Sequence, residues 1–136
     1  MFSSTVSTLF VTLLAVTGTL ATPTGATLDK RIPLSCKDNG GGYRPVAAAQ
    51  SCVNYLNNKG SEKCTITGEN GIFCQNGDTA IYGSNTSGKG SVTSSCRDVA
   101  TGVQAIIDSC TKDGTVAGYN SANGNGELVI SIERKL

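Results

Sequence analysis

Six cysteines dictate most of what this chain can become. Cys36, Cys52, Cys64, Cys74, Cys96 and Cys110 all follow an apolar leader and crowd into one stretch. An even number of cysteines behind an export signal forms cross-links rather than metal or redox sites. No two stand at CxxC spacing, and the chain has no histidine, so zinc ligation is not expected. A domain this short buries a modest core. Each bridge adds about 2–4 kcal/mol by restricting the unfolded chain, so three together rival the net stability of a small domain. Local sequence leaves the pairing among the six open.

Residues 1–21 read as a secretory signal peptide. The run Leu9-Phe10-Val11-Thr12-Leu13-Leu14-Ala15-Val16 has signal-core length and is too short to span a bilayer, and Thr19-Leu20-Ala21 is a small-x-small cleavage site. Residues 22–31 read as a propeptide ending in Lys30-Arg31, a dibasic pair of the kind cut by processing proteases of the secretory pathway. The mature domain then covers 32–136, is exported, and contains no transmembrane segment.

The chain carries 11 basic and 10 acidic residues, net +1; Lys30, Arg31 and Asp29 precede residue 32, leaving 9 and 9 in the mature segment. Such a balance gives no polycationic face for nucleic acid or anionic lipid. Without histidine, the usual Ser-His and Cys-His activation is unavailable. A carboxylate pair drawn from Asp38, Asp78, Asp98, Asp108, Asp113 and several Glu is the remaining catalytic option. Asp98 suits a helix start, and the others read as solvated charge. No phosphate loop is present among the glycine-rich stretches. The expectation is a non-enzymatic, monomeric protein with no cofactor and no metal, and with an extracellular or cell-surface target.

Along the mature segment, Ile32–Cys36 reads as a first strand and Asn39-Gly40-Gly41-Gly42 as a turn. A helix begins near Arg44-Pro45, with Pro at its first position. Val46, Ala49, Val53 and Leu56 form its apolar stripe, Cys52 borders it, and Gly60 ends it. Lys63–Ile66 and Gly71–Cys74 read as a hairpin across Thr67-Gly68-Glu69-Asn70, followed by a strand over Asp78–Tyr82. Residues 83–94, rich in Ser, Gly, Thr and Asn, read as a surface loop holding the sequon Asn85-Thr86-Ser87, a glycosylation candidate at Asn85.

A second helix starts at Ser95, with Asp98 completing an S-x-x-D box, and buries Val99, Val103, Ile106, Ile107 and Cys110. Glu127–Arg134 alternates as a strand with Leu128, Ile130 and Ile132 inward. The turn Asn123–Gly126 before it suggests a hairpin with Thr115–Gly118. Two helices and about five strands imply an α+β protein, an α/β sandwich with both helices on one face of an antiparallel sheet. Tyr43 and Tyr119, beside glycine-rich segments, are the candidates for exposed contact; Tyr55 and Tyr82 read as partly core.

Three stretches carry a family resemblance. They are Cys74-Gln75-Asn76-Gly77-Asp78-Thr79-Ala80-Ile81-Tyr82; Ser95-Cys96-Arg97-Asp98 leading through an apolar helix to Cys110; and Ala117-Gly118-Tyr119-Asn120 with Asn125-Gly126-Glu127-Leu128-Val129-Ile130-Ser131. These resemble motifs of fungal killer toxins of the killer protein four type. The resemblance implies the same α/β sandwich and the bridges Cys36–Cys110, Cys52–Cys96 and Cys64–Cys74. It also implies a secreted toxin-like protein or effector of a filamentous fungus that acts on competitor or host cells by perturbing calcium channels. Gly71-Ile72-Phe73 occupies the place of the family's basic residue. Lys63, beside Cys64, is the nearest basic contact candidate. The alternatives are a module that binds cell-wall polysaccharide or an apoplastic protein, and a small hydrolase using two carboxylates.

Overall fold

The computed structural model describes residues 32–38 and 42–135. The expected signal peptide over 1–21, the expected propeptide over 22–31 with Lys30 and Arg31, and most of the expected Asn39–Gly42 turn lie outside the described residues. The first regular elements are a two-residue strand β1 (Arg44–Pro45) and helix α1 (Val46–Lys59). Pro45 sits one place earlier than expected, as the residue preceding the helix. No side chain caps this end; the Val46 N–H donates to the Gly114 carbonyl at 3.0 Å. Ala49, Cys52, Val53 and Leu56 are buried, so Cys52 belongs to the stripe rather than bordering it. Gly60 closes the helix at φ 59°, a left-handed conformation natural to glycine.

Helix α2 spans Cys96–Cys110, and the Ser95 hydroxyl accepts from the Asp98 N–H at 3.1 Å. Its buried side includes Val99, Val103, Ile106, Ile107 and Cys110, the expected stripe, together with Ala100 and Gly102. The two helices pack on one another.

The remaining strands are β2 (Lys63–Thr67), β3 (Asn70–Asn76), β4 (Thr79–Asn85), β5 (Ser91–Ser95), β6 (Thr115–Val116), β7 (Gly118–Ala122) and β8 (Asn125–Arg134). They form antiparallel sheets: β1 with β6, β2 with β5, and a four-stranded sheet in the order β3-β4-β8-β7. The protein is thus mixed α and β with two helices, and the strands expected in one sheet are divided among three. Against the four-stranded sheet, α1 lies on β3 and β4 and α2 on β7 and β8. Ile81, Leu128, Ile130 and Ile132 of that sheet join the helix stripes in one core. Each such fully buried aliphatic side chain is worth about 1.5–3 kcal/mol.

Four expectations about strands need correction. The Lys63–Ile66 segment does not pair with Gly71–Cys74; β2 pairs with β5, in the register Cys64↔Ser94 and Ile66↔Val92. Residues 83–94 are accordingly not one loop, since β4 runs on to Asn85 and β5 begins at Ser91. Val92 and Ser94 are buried while Ser91 and Thr93 are exposed, an alternation disguised by hydroxylic residues. The hairpin partner of β8 is β7, whereas Thr115–Val116 pairs with β1. Ile32–Cys36 contributes an isolated bridge, Ser35↔Tyr119, at the β7 edge rather than a full strand.

Those pairings decide the cross-links. Disulfides join Cys36–Cys110, Cys52–Cys74 and Cys64–Cys96, with Cα separations of 5.2, 5.7 and 5.0 Å. The resemblance implied Cys52–Cys96 and Cys64–Cys74, and the structure exchanges those partners. Because β5 runs directly into α2 and the Cys96 N–H donates to the Glu62 carbonyl at 2.8 Å, Cys96 is delivered to Cys64. Cys74, paired with inward Ile81 on β4, lies under α1 and meets Cys52.

Candidate functional site: a cleft between helix α1 and the edge strand β3

The apolar stripe of α1 leaves Ser51 and Tyr55, one turn apart, on the flank of the helix. The strand they face, β3, ends the four-stranded sheet, so only one side of its backbone is paired within the sheet. Between them lies a cleft of about 430 Å³ lined by Ser51, Tyr55, Ile72, Phe73, Cys74, Gln75 and Asn76. Tyr55 is 50% exposed and Ile72 40%, two of the large hydrophobic side chains left in solvent. The Cys52–Cys74 bridge ties the two walls together.

The ladder between β3 and β4 carries an irregularity between Ile72 and Cys74, where Phe73 is the extra residue. Phe73 turns inward: a Cβ on Gly83 of β4 would fall 2.5 Å from the Phe73 ring and 2.8 Å from Ile66. Gly83 is therefore glycine for space, and it lets β2 settle onto the sheet beside the cleft.

The electrostatics of the cleft are mild. Its lining includes no Asp, Glu, Lys or Arg. At its rim the Lys59 ammonium lies over the Tyr55 ring, 5.1 Å from the centroid, and 3.6 Å from the Glu62 carboxylate. Hydrogen bonding with Tyr55 first, and the Glu62 charge after it, hold Lys59 above the ordinary lysine value.

The contact candidates read from sequence are not gathered here. Tyr43, 44% exposed, precedes β1. Tyr119 lies in β7, half-buried, exchanging backbone hydrogen bonds of 2.9 Å with Ser35. Lys63 is exposed at the start of β2. None of the three lines the cleft. Tyr55, read as partly core, is instead among its walls. The signal was available, since Tyr55 falls off the stripe set by Ala49, Cys52, Val53 and Leu56.

Two further polar arrangements surfaced only with the fold. Arg44, 8% exposed, reaches Asp78 through Nη2 and the Thr79 hydroxyl through Nε at 3.4 Å, and Arg134 Nη1 donates to the other Asp78 oxygen at 2.9 Å. Asp78 thus bridges two guanidinium groups while its carboxylate stays half in solvent. At the sequon, Asn85 Nδ2 donates to the Gly68 and Lys89 carbonyls at 3.0 and 2.8 Å, while its Oδ1 accepts from the Ser87 N–H and hydroxyl at 3.0 and 2.6 Å. Both amide hydrogens are in use, so a glycan on Nδ2 would displace one of these bonds. Another cleft, of about 520 Å³, borders this loop, lined by residues that include Glu69, Asn70, Asn85 and Lys89.

Among the described residues, no group of three or more His, Cys, Asp and Glu is arranged to hold a metal ion. No helix among them is long and apolar enough to cross a membrane. No curated protein matches the chain. Residues 31–134 match the family model described as a domain of unknown function, DUF8794, and the chain belongs to that family.

Proposed function

We propose that this chain is a secreted, non-enzymatic, toxin-like protein or effector that acts outside the producing cell by binding a target through the cleft between α1 and β3. One observation carries the reading: an uncharged cleft with exposed Tyr55 and Ile72 stands on walls joined by Cys52–Cys74. Prearranged walls reduce the ordering cost of binding. Export is supported by the apolar leader, the dibasic Lys30-Arg31, and the use of all six cysteines in bridges.

The test is to add the protein recovered from culture fluid to fungal and plant cells and follow growth and calcium uptake. Impaired growth or altered uptake, lost on substitution of Tyr55→Ala, is the expected result. Unchanged growth and uptake over the whole dose range would discard it. A second reading, a module for wall polysaccharide, draws on an aromatic ring, Tyr55, and two side-chain amides, Gln75 and Asn76, lining the same cleft. Retention of the protein on chitin or glucan, released by free oligosaccharide, is its signature.

A further inference from the structure

We infer that the ligand of the α1–β3 cleft is a short, extended, uncharged peptide segment, which adds as a strand to the open edge of β3. The inference rests on the cleft reading above and names its ligand class. Five consecutive residues of one strand, Ile72 to Asn76, form one wall of the cleft. At the ordinary strand rise they span about 16 Å, so the cleft runs along the strand. Since β3 ends the sheet order, the backbone groups on its outer side have no strand partner among the described residues. A segment lying in the cleft meets those groups on one side, and Ser51 and Tyr55 of α1 on the other. Edge strand and helix flank are the two walls that peptide recognition by strand addition uses.

The chemistry of the wall selects the segment. From Asn70 to Asn76 the strand has neither charge nor proline, the usual guards of an exposed edge. An uncharged lining favours an uncharged ligand, because a charge placed there loses water while the charges at the rim, Lys59 and Glu62, already pair with each other. The exposed Ile72 side chain and the Tyr55 ring offer apolar contact to alternate side chains of the incoming strand. A sugar fits less well: the Lys59 ammonium already covers one side of the Tyr55 ring. The irregularity at Phe73 limits regular pairing to a few residues, which suits a short segment and discourages open-ended sheet growth between copies.

The experiment pans a random octapeptide library on the full secreted protein, then titrates the recovered sequence, synthesised with capped ends, against the isotope-labelled protein. Recovered sequences should be uncharged with apolar residues at every second position. The synthetic peptide should move the amide signals of Ile72–Asn76 and slow their hydrogen exchange. A proline at its centre should abolish both effects. Ile72→Lys, at a half-exposed site, should weaken binding about tenfold or more with all three bridges intact by mass. No enrichment over the Ile72→Lys protein, shifts confined to other elements, displacement of the same signals by chitohexaose alone, or concentration-dependent dimerisation through β3 would each overturn the inference. Peptide binding without any effect on cell growth or calcium uptake leaves it standing and rejects the toxin reading. Cell effects that vanish with Tyr55→Ala while no peptide binds reject it and keep the toxin reading.

Discussion

Gly102 of α2 lies directly against Ile130 of β8: a Cβ at position 102 would overlap the Ile130 Cδ1 methyl and stand 3.0 Å from the Ser121 carbonyl. The helix reaches the sheet at this point only because that side chain is missing. Intrinsic helix preference favours alanine over glycine by about 1 kcal/mol, yet Ile130 is fully buried with little room to turn aside and the Ser121 carbonyl belongs to the backbone. Gly102→Ala should therefore destabilise the protein, by about 1–3 kcal/mol as overpacking. Denaturant unfolding checks this, and an unchanged or higher midpoint would refute the close approach.

Non-reducing digestion followed by mass spectrometry of the linked peptides should recover Cys52–Cys74 and Cys64–Cys96, never Cys52–Cys96. The Cys64–Cys96 bridge spans 32 residues. Replacing both of its cysteines by alanine should cost about 2–4 kcal/mol. It should also expose β5 amides to hydrogen exchange, since that bridge fastens β2 and β5 to the start of α2.

Asp78→Asn is expected to lower stability more than Arg134→Ala. Removing the carboxylate leaves the buried Arg44 guanidinium without its counter-ion, whereas Arg134 is half in solvent. Because Asp78 is itself 54% exposed, water screens the pair, and the loss should stay near 1–3 kcal/mol. Thermal unfolding of the two variants side by side measures the ranking.

Asn85→Ala, in protein produced without glycosylation, should cost about 0.5–1.5 kcal/mol, because the exposed backbone carbonyls of Gly68 and Lys89 exchange their side-chain donor for water. Exchange should rise across residues 85–90 specifically. A variant with unchanged stability would mean that the sequon loop is held by its backbone alone.

Much of the architecture was legible along the chain. The α2 stripe from Val99 to Cys110, the Ser95 cap, and the inward set Leu128, Ile130 and Ile132 are repeated apolar signals within a few turns or one strand. The β5 strand was not legible, since Ser91–Ser95 contains a single aliphatic residue and its burial depends on β2 lying alongside. The double ion pair at Asp78 escaped for a related reason: Arg44 and Arg134 stand on either side of it in sequence, 34 and 56 residues away.

The chain by itself determined the even set of cysteines, both helices and the final strand, because each depends on residues close together along the backbone. Tertiary structure alone decided which strand β2 pairs with, and through that choice which cysteine meets which. Two cysteines are joined only when the whole sheet brings their Cα atoms within about 4.4–6.8 Å. Neighbouring residues encode a strand's faces but not its partner, so the bridges and the α1–β3 cleft were settled by packing between distant segments.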